Sequence, residues 1–254
     1  SFIIYLAIED GMSTCAKKSV KDVLAGLCLG FFSHGALADG TVIDKVYHPY
    51  VEPLEWELEW RMIHQDEDRV TGEQRAQTHR LGFGKAIAET VFAEIYLIGE
   101  QNSDTSFSTE AYEVEILWQL SEQGELFLDW ALLFEFERES DIDIWEYSTA
   151  VLLEKEFGRF SATANLGLVY EWGSDIDNEV ETFLALQTRY RYSPRFEPAL
   201  ELYLGQDTRG IGPVITGAER LGNRKALRWE AGVILGFDKD TADYTLRAVL
   251  EYEF

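Results

Sequence analysis

The chain ends on YTLRAVLEYEF, residues 244–254, in which every second side chain is apolar or aromatic. A period of two gives a β-strand one apolar face and one polar face. A free carboxylate directly after the terminal Phe254 is a poor end for a soluble core, whereas an aromatic ring suits a strand that ends at a membrane interface. The ending therefore predicts the closing strand of a barrel whose outer face meets lipid.

A terminal phenylalanine with an aromatic residue two positions earlier, Tyr252, resembles the last strand of bacterial outer-membrane proteins in general. The resemblance implies an integral protein of the bacterial outer membrane. It also implies contact with outer-membrane lipid and lipopolysaccharide, and recognition of Phe254 by the barrel assembly machinery.

The N-terminal region predicts export. An apolar run over 23–32 and the small-residue tripeptide at 36–38 follow three lysines, Lys17, Lys18 and Lys21. This order predicts a signal peptide over 12–38, because the run is shorter than the roughly 20 apolar residues of a spanning helix. We expect 1–11 to be an upstream extension, 39–50 a periplasmic segment and 51–254 the barrel.

Composition excludes several classes of function. Both cysteines, Cys15 and Cys28, fall within the predicted signal peptide, so disulfide and thiol chemistry are excluded from the remainder. The chain has 22 Lys and Arg against 46 Asp and Glu, a net charge of −24. Such a chain repels nucleic acid. No stretch after residue 38 is apolar enough for a spanning helix, so insertion in a membrane requires a closed barrel.

Alternation of apolar and polar residues recurs in twelve segments of roughly 10–14 residues, near the length of a tilted membrane strand. The fold class predicted is all-β, a single up-and-down antiparallel transmembrane barrel of about 12 strands. In one segment Glu219 breaks the alternation, which predicts a β-bulge. The segments are 54–62, 74–85, 89–100, 112–120, 126–136, 145–157, 160–172, 180–192, 196–204, 210–221, 227–237 and 244–254.

The connections alternate between short turns, expected in the periplasm, and acidic loops, expected outside the cell. A soluble sandwich or lipocalin-like barrel is the alternative, because apolar and polar residues also alternate along the strands of such proteins. The tryptophans argue against it, since they share the apolar face and many lie near strand ends, as in an aromatic girdle. They are Trp56, Trp60, Trp118, Trp130, Trp145, Trp172 and Trp229.

The opposite face of each strand is charged and would line the lumen. Acids outnumber bases there, and a carboxylate in a dry cavity must be paired or protonated. The lumen is therefore wet, or its carboxylates share protons or bind cations. The predicted lumen-lining residues are Glu55, Glu57, Glu59, Arg61, Arg80, Glu113, Glu115, Asp129, Glu135, Glu181, Arg189, Arg191, Glu201, Arg228, Glu230, Arg247 and Glu251.

Twelve strands fall between the filled barrels of eight strands and the open channels of about 16 to 18. An acidic lumen of this size favours a porin-like channel for passive passage of small hydrophilic or cationic solutes. The alternative is a structural or lipid-contacting barrel, closed by Glu/Arg pairs or by residues 39–50 folding inward.

Some twelve-stranded outer-membrane barrels that resemble phospholipase A are lipid hydrolases with a Ser and His pair on the lipid-facing wall. His64 and His79 share the apolar face, but no serine of that face follows on the third strand and no GxSxG motif occurs. Because the nucleophile is missing, we expect no enzyme, no catalytic residue and no cofactor.

The tetrapeptide Ser-Asp-Ile-Asp occurs twice, at 140–143 and 174–177. Its paired carboxylates suit Ca²⁺ or Mg²⁺, but they do not make a complete ligand set. Solvated turn aspartates are the favoured interpretation, and we predict no metal site.

The segment YHPYVEPLEWELEWR at 47–61, together with the train of strands, resembles proteobacterial outer-membrane transporters of the phenol-degradation (MetA-pathway) type. The resemblance implies transport, but it assigns neither a substrate nor a functional residue.

Overall fold

A computed structural model describes residues 43–66, 75–101, 106–222 and 225–254. These residues form twelve antiparallel strands in a closed up-and-down barrel, which confirms the predicted fold class. In this part of the chain no helix is long and apolar enough to cross a bilayer. The predicted upstream extension and signal peptide lie outside the described residues.

Each strand pairs with the strands before and after it in the chain. In chain order the strands are β1 (Trp56–Asp66), β2 (Arg75–Ala88), β3 (Val91–Gln101), β4 (Ser108–Gln119), β5 (Asp129–Glu139), β6 (Ile144–Phe157), β7 (Phe160–Gly173), β8 (Glu179–Tyr190), β9 (Glu197–Leu204), β10 (Arg209–Gly222), β11 (Lys225–Gly236) and β12 (Tyr244–Glu253).

The barrel closes where β1 pairs with β12. The main chains of Trp56 and Phe254 exchange two hydrogen bonds, Trp56 N to Phe254 O at 3.1 Å and Phe254 N to Trp56 O at 2.9 Å. These bonds place the terminal residue opposite the first residue of β1. The end of the barrel where β1 begins and β12 ends is called the periplasmic end below, because short turns and chain termini lie there in outer-membrane barrels.

The outer face of the barrel is apolar and exposed. Leu81, Ile95 and Leu200 are 52–58% exposed, whereas Glu59 on the inner face of β1 is 2% exposed. A continuous apolar surface of this kind, on a barrel with no free edge, is a lipid-facing surface. The chain is therefore an integral outer-membrane barrel.

Aromatic rings gather on the outer face at both ends of the barrel. At the loop end Trp145 stacks on Trp172 with ring centroids 6.4 Å apart, and Tyr170 stacks on Trp172 at 5.2 Å. At the periplasmic end Tyr252 stacks on Phe254 at 5.4 Å. Two aromatic bands of this kind are typical of membrane barrels, where the rings lie at the levels of the headgroups.

The strand β5 begins three residues later than the alternation predicts. Residues 126–128 belong to the turn that precedes β5, not to the strand. The turn has its own hydrogen bonds, from Gly124 N to Asp129 Oδ1 at 2.8 Å and from Trp130 N to Ser121 Oγ at 2.9 Å. Gly124 has φ = 76°, a conformation that favours glycine. Local turn chemistry therefore overrides the apolar alternation here.

The irregularity expected near Glu219 is present two residues further along. The pairing of β10 with β11 shifts register between Arg220 and Gly222. Glu219 itself lies next to Arg195, with which it forms an ion pair. Glu219 is paired with Leu227 before the shift and therefore stays on the outward face, and the bulge lies beyond it.

Inward glycines on β2 make room for large side chains on β3. A Cβ atom on Gly84 would overlap the ring of Phe92, and one on Gly82 would overlap the side chains of Glu94 and Tyr96. Small residues opposite large ones are how narrow barrel interiors are filled.

We therefore expect Gly84→Val to destabilise the barrel by about 1–3 kcal/mol, because the added methyl groups overpack the lumen against Phe92. Ala93→Val is the control, since Ala93 is an outward-facing residue of β3 and the change adds volume on the lipid side. Urea titration of the folded barrel in lipid vesicles measures both variants. Equal stability of the two variants would contradict the close packing at Gly84.

Candidate functional site

The candidate site is the lumen. Glu55 and Arg191 lie just beyond strand ends, and the other residues expected to line the lumen occupy inward positions on strands. Most of them are buried or half-buried and alternate with exposed apolar residues of the outer face, whereas Arg228 near the periplasmic end is exposed. The inward strand residues are Glu57, Glu59, Arg61, Arg80, Glu113, Glu115, Asp129, Glu135, Glu181, Arg189, Glu201, Arg228, Glu230, Arg247 and Glu251.

Residues 43–51, called the plug below, lie inside the barrel. This location corrects the expected periplasmic placement of 39–50 for the part that the structure describes. Ile43 and Val46 are buried in one cluster with Tyr203, Val214 and Ile234 of the barrel wall. Burial of these apolar side chains explains why the segment turns inward instead of remaining in water.

The barrel wall holds the main chain of the plug. Tyr47 N donates to Asn165 Oδ1 at 2.8 Å, and Asn165 Nδ2 donates to Tyr47 O at 2.9 Å. At the periplasmic side, Val51 N donates to Gln119 Oε1 at 2.8 Å. The two side-chain amides replace the backbone partners that an isolated segment lacks inside a barrel.

Polar side chains of the plug reach different parts of the wall. The Tyr47 hydroxyl donates to Glu115 at 2.8 Å and to Glu135 at 3.3 Å. His48 Nδ1 lies 2.6 Å from Glu154, and the Tyr50 hydroxyl donates to Asp129 at 2.9 Å. Burial and the nearby Glu115 raise the pKa of Tyr47 well above its ordinary value, so this hydroxyl remains a donor.

The plug also carries charges that pair with the wall. Lys45 Nζ lies 2.5 Å from Glu59 and 3.8 Å from Glu251, and Asp44 pairs with Arg61. Burial acts most strongly on Lys45 and favours its neutral form, but the acids led by Glu59 outweigh burial and raise the pKa of Lys45 above its ordinary value. Lys45 is therefore a cation at every physiological pH.

A second set of buried pairs belongs to the wall. Arg247 Nη2 lies 2.9 Å from Glu201 and also pairs with Glu230, while Arg247 Nη1 donates to the Tyr203 hydroxyl at 2.5 Å. Gln187 Nε2 donates to Glu201 at 2.8 Å. The Arg247 and Glu201 side chains are completely buried, so each charge depends on its partners for stabilisation.

The inner wall is inaccessible at the level of the plug. Arg61, Glu154 and Glu201 are all 0% exposed. A lumen that held a continuous water column at this level would leave such side chains accessible. In this state the plug and the buried ion pairs therefore fill the barrel here.

Towards the loop end, glutamates occupy paired positions on four successive strands. Glu113 of β4 pairs with Glu137 of β5, Glu137 with Glu146 of β6, and Glu146 with Glu171 of β7. Arg80 lies 3.0 Å from Glu113 and 3.4 Å from Glu137. Like charges directly opposite each other destabilise a sheet, so this row is unfavourable for the fold unless positive charge accompanies it.

The aspartates of the repeated tetrapeptide make turn contacts. Asp143 N donates to Asp175 Oδ2 at 2.8 Å, and Ser174 N donates to Asp143 Oδ2 at 3.3 Å. The hydrogen bonds from Ser174 lower the pKa of Asp143. This geometry favours the turn interpretation of these residues over cation binding.

The histidines of the first hairpin belong to the outer surface. His79 Nδ1 accepts from Trp60 Nε1 at 3.2 Å, so Nε2 carries the ring proton and lies 2.6 Å from the side-chain amide of Gln77. The ring also stacks on Trp60 at 5.8 Å and meets Phe107 edge-on at 5.8 Å. His79 is thus part of an aromatic cluster.

The individual roles of Tyr47, His48, Asn165 and Glu154 in holding the plug were not predicted from the sequence. Small residues at inward positions are the signal that could have suggested the plug. Ala185, Ala199 and Gly210 leave space at the wall, and a Cβ atom on Gly210 would approach the Ile43 side chain to 3.0 Å. Small wall residues imply that something other than the wall fills the lumen.

Solved structures with a similar fold are outer-membrane channels and porins. An outer membrane channel from Pseudomonas putida F1 has a TM-score of 0.53 and 10% identity, covering 85% of this chain and 99% of its own. The KdgM porin in complex with disordered oligogalacturonate and the NanC porin both have a TM-score of 0.50, with 11% and 10% identity. Both cover 78% of this chain and 98% of their own.

No family model and no curated protein sequence matches the chain. The similarity to the solved structures shows the barrel fold alone, since the sequence identity is too low to transfer a substrate or a role.

We expect Asn165→Ala to release the plug more often. The change removes two hydrogen bonds of about 1 kcal/mol each, which corresponds to a roughly tenfold to thirtyfold higher open population. Trypsin cleavage after Lys45 in detergent micelles measures that population, because the buried bond must leave the lumen to be cut. Asn178→Ala, in an exposed loop, is the control and should be cut at the rate of the parent. Unchanged cleavage of Asn165→Ala would show that the two hydrogen bonds between Asn165 and Tyr47 do not hold the plug in the lumen.

Arg247→Met should cost about 3–5 kcal/mol, because it leaves Glu201 and Glu230 buried without their cation. The triple variant Arg247→Met, Glu201→Gln, Glu230→Gln removes the charges together and should recover most of the loss. Urea unfolding in vesicles compares the two. A single variant as stable as the parent, or a triple variant as unstable as the single one, would refute the charge argument.

Proposed function

We propose that the protein is an outer-membrane channel for small hydrophilic, neutral or cationic solutes, and that the plug closes it. The observation that carries the proposal is the location of residues 43–51, which fill the lumen through contacts with side chains of the wall. A barrel that served only as a scaffold could fill its lumen with wall side chains alone.

The plug is suited to leave. The barrel closes through β1 and β12 and therefore has complete strand pairing without any residue of the plug. The plug contributes Asp44, Lys45 and His48, all of which are well hydrated in water. Its buried apolar side chains are those of Ile43, Val46 and Val51, and the Tyr47 ring packs against the wall as well. Withdrawal therefore exchanges buried polar contacts for hydration while the barrel stays intact.

Selectivity for cations follows from the charge of the wall. The glutamate row of β4–β7 faces the loop end, where solutes enter, and Arg80 is shared between its first two members. In a narrow passage with low-dielectric walls, an excess of carboxylates concentrates cations and repels anions.

A structural barrel is the second candidate, and the depth of the buried pairs favours it. The side chains of Arg247 and Glu201 are completely buried, so water and ions do not reach them. If the plug never leaves, a barrel with such a filled lumen conducts little. Conductance separates the two candidates.

We also propose that the barrel is not a lipid hydrolase. The contacts of both His79 ring nitrogens with Trp60 and Gln77 support this, because a general base needs a free ring nitrogen facing its nucleophile.

Recognition of the last strand during assembly is a further proposal. The paired and outward-facing end of β12, with Phe254 stacked on Tyr252, is suited to recognition by the barrel assembly machinery.

Deletion of residues 43–51 should convert a mostly closed barrel into an open, cation-selective one. Single-channel recording in a planar bilayer measures the conductance, and the reversal potential in a salt gradient shows whether the channel prefers cations or anions. Tyr47→Ala should open the channel part of the time, because it removes the contacts with Glu115 and Glu135. Asn178→Ala is again the control and should behave as the parent. A deletion variant that inserts and remains silent would refute the channel and favour the structural barrel.

A further inference from the structure

Three carboxylates meet beside the plug. Glu113 and Glu115 are inward residues of β4, and Glu135 of β5 is paired directly with Glu115. One oxygen atom from each side chain lies within 4.8 Å of the other two. A calcium ion bound at about 2.3–2.6 Å from each oxygen would span such a distance without movement of the backbone.

The hydrogen-bond donors around these carboxylates do not satisfy them. Glu115 and Glu135 accept from the Tyr47 hydroxyl, and Glu135 also accepts from Ser148. Glu113 Oε2 accepts from Arg80 at 3.0 Å. Glu113 Oε1 is buried and accepts no hydrogen bond from the described residues, and Glu113 as a whole is 5% exposed. A buried, ionised oxygen without a donor is an expensive feature unless a cation approaches it.

Nearby cations do not balance the charge either. Lys45 and Arg61 are engaged by Glu59, at 2.5 Å and 2.6 Å, and Arg61 also pairs with Asp44. Arg80 is shared among Glu113, Glu137 and Asp44. No ion pair among the described residues reaches Glu115 or Glu135.

We propose that Glu113, Glu115 and Glu135 bind a divalent cation with a preference for oxygen ligands, Ca²⁺ or Mg²⁺. Hard oxygen ligands are what these ions select. The bound cation supplies the missing positive charge at the end of the glutamate row. It also lies beside the Tyr47 hydroxyl, so it stabilises the part of the wall to which the plug is attached. The inference goes beyond the proposed channel and does not depend on conduction.

The first test is Ca²⁺ binding to the folded full-length barrel in zwitterionic detergent, measured by isothermal titration with Mg²⁺ as the second probe. We expect one saturable site in the parent. Glu113→Gln and Glu115→Gln each remove one charged ligand and should weaken binding by roughly tenfold or more. Glu122→Gln is the matched control, because Glu122 is exposed in the turn between β4 and β5.

A melting experiment separates ligation from a merely structural role. In chelator, Glu115→Gln should melt no lower than the parent, because the amide oxygen still accepts from Tyr47 while like-charge repulsion decreases. Added Ca²⁺ should raise the melting temperature of the parent and of Glu122→Gln, but not that of Glu115→Gln.

Absence of saturable binding in the parent would overturn the proposal, since the carboxylates would then be balanced by protons. Equal binding by Glu115→Gln and the parent would overturn it as well, because the ion would be elsewhere. If the parent binds Ca²⁺ in this way while the variant without residues 43–51 inserts into bilayers and stays silent, the channel is refuted and the cation site stands.

Discussion

Closure of the hydrogen-bonded sheet is the constraint on which the rest of the molecule depends. Inside a bilayer every backbone donor and acceptor must find a partner within the protein, and a twelve-stranded barrel achieves this when β1 pairs with β12. Closure also separates the two faces of each strand completely. One face must be apolar because it meets lipid, and the other can carry charge because it does not.

The charged inner face then creates a second problem, which the N-terminal segment helps to solve. Buried carboxylates need donors or cations, and the plug brings Lys45 to Glu59 and the Tyr47 hydroxyl to Glu115. The same segment fills space that Ala185, Ala199 and Gly210 leave open. Electrostatic compensation and packing thus depend on one short stretch of chain, which makes that stretch a natural control point for the lumen.

The balance of charge is uneven along the barrel. Around Arg247 one buried guanidinium pairs with two acids, Glu201 and Glu230, whereas the row from Glu113 to Glu171 gathers like charges in register. Stability alone does not favour such a row. The presence of this glutamate row is consistent with a lumen that uses negative charge, either for passing cationic solutes or for binding a metal cation.

The sequence by itself determined the barrel, because alternation with a period of two is a local property that every strand displays, from Leu58 and Trp60 on β1 to Phe254 at the terminus. It also placed Glu59 and Arg247 on the inner face, since residues an even number of positions apart on a strand share one face and these two alternate with apolar residues. It predicted a periplasmic location for residues 39–50 and kept inward folding only as the alternative, because the contact of Tyr47 with Asn165 joins residues 118 positions apart. Only the tertiary structure decided that question, and only the tertiary structure placed Glu135 beside Glu113 and Glu115. Strand register determines which inward side chains of neighbouring strands meet. Alternation does not determine the register, because a shift by any even number of residues leaves the same side chains facing inward.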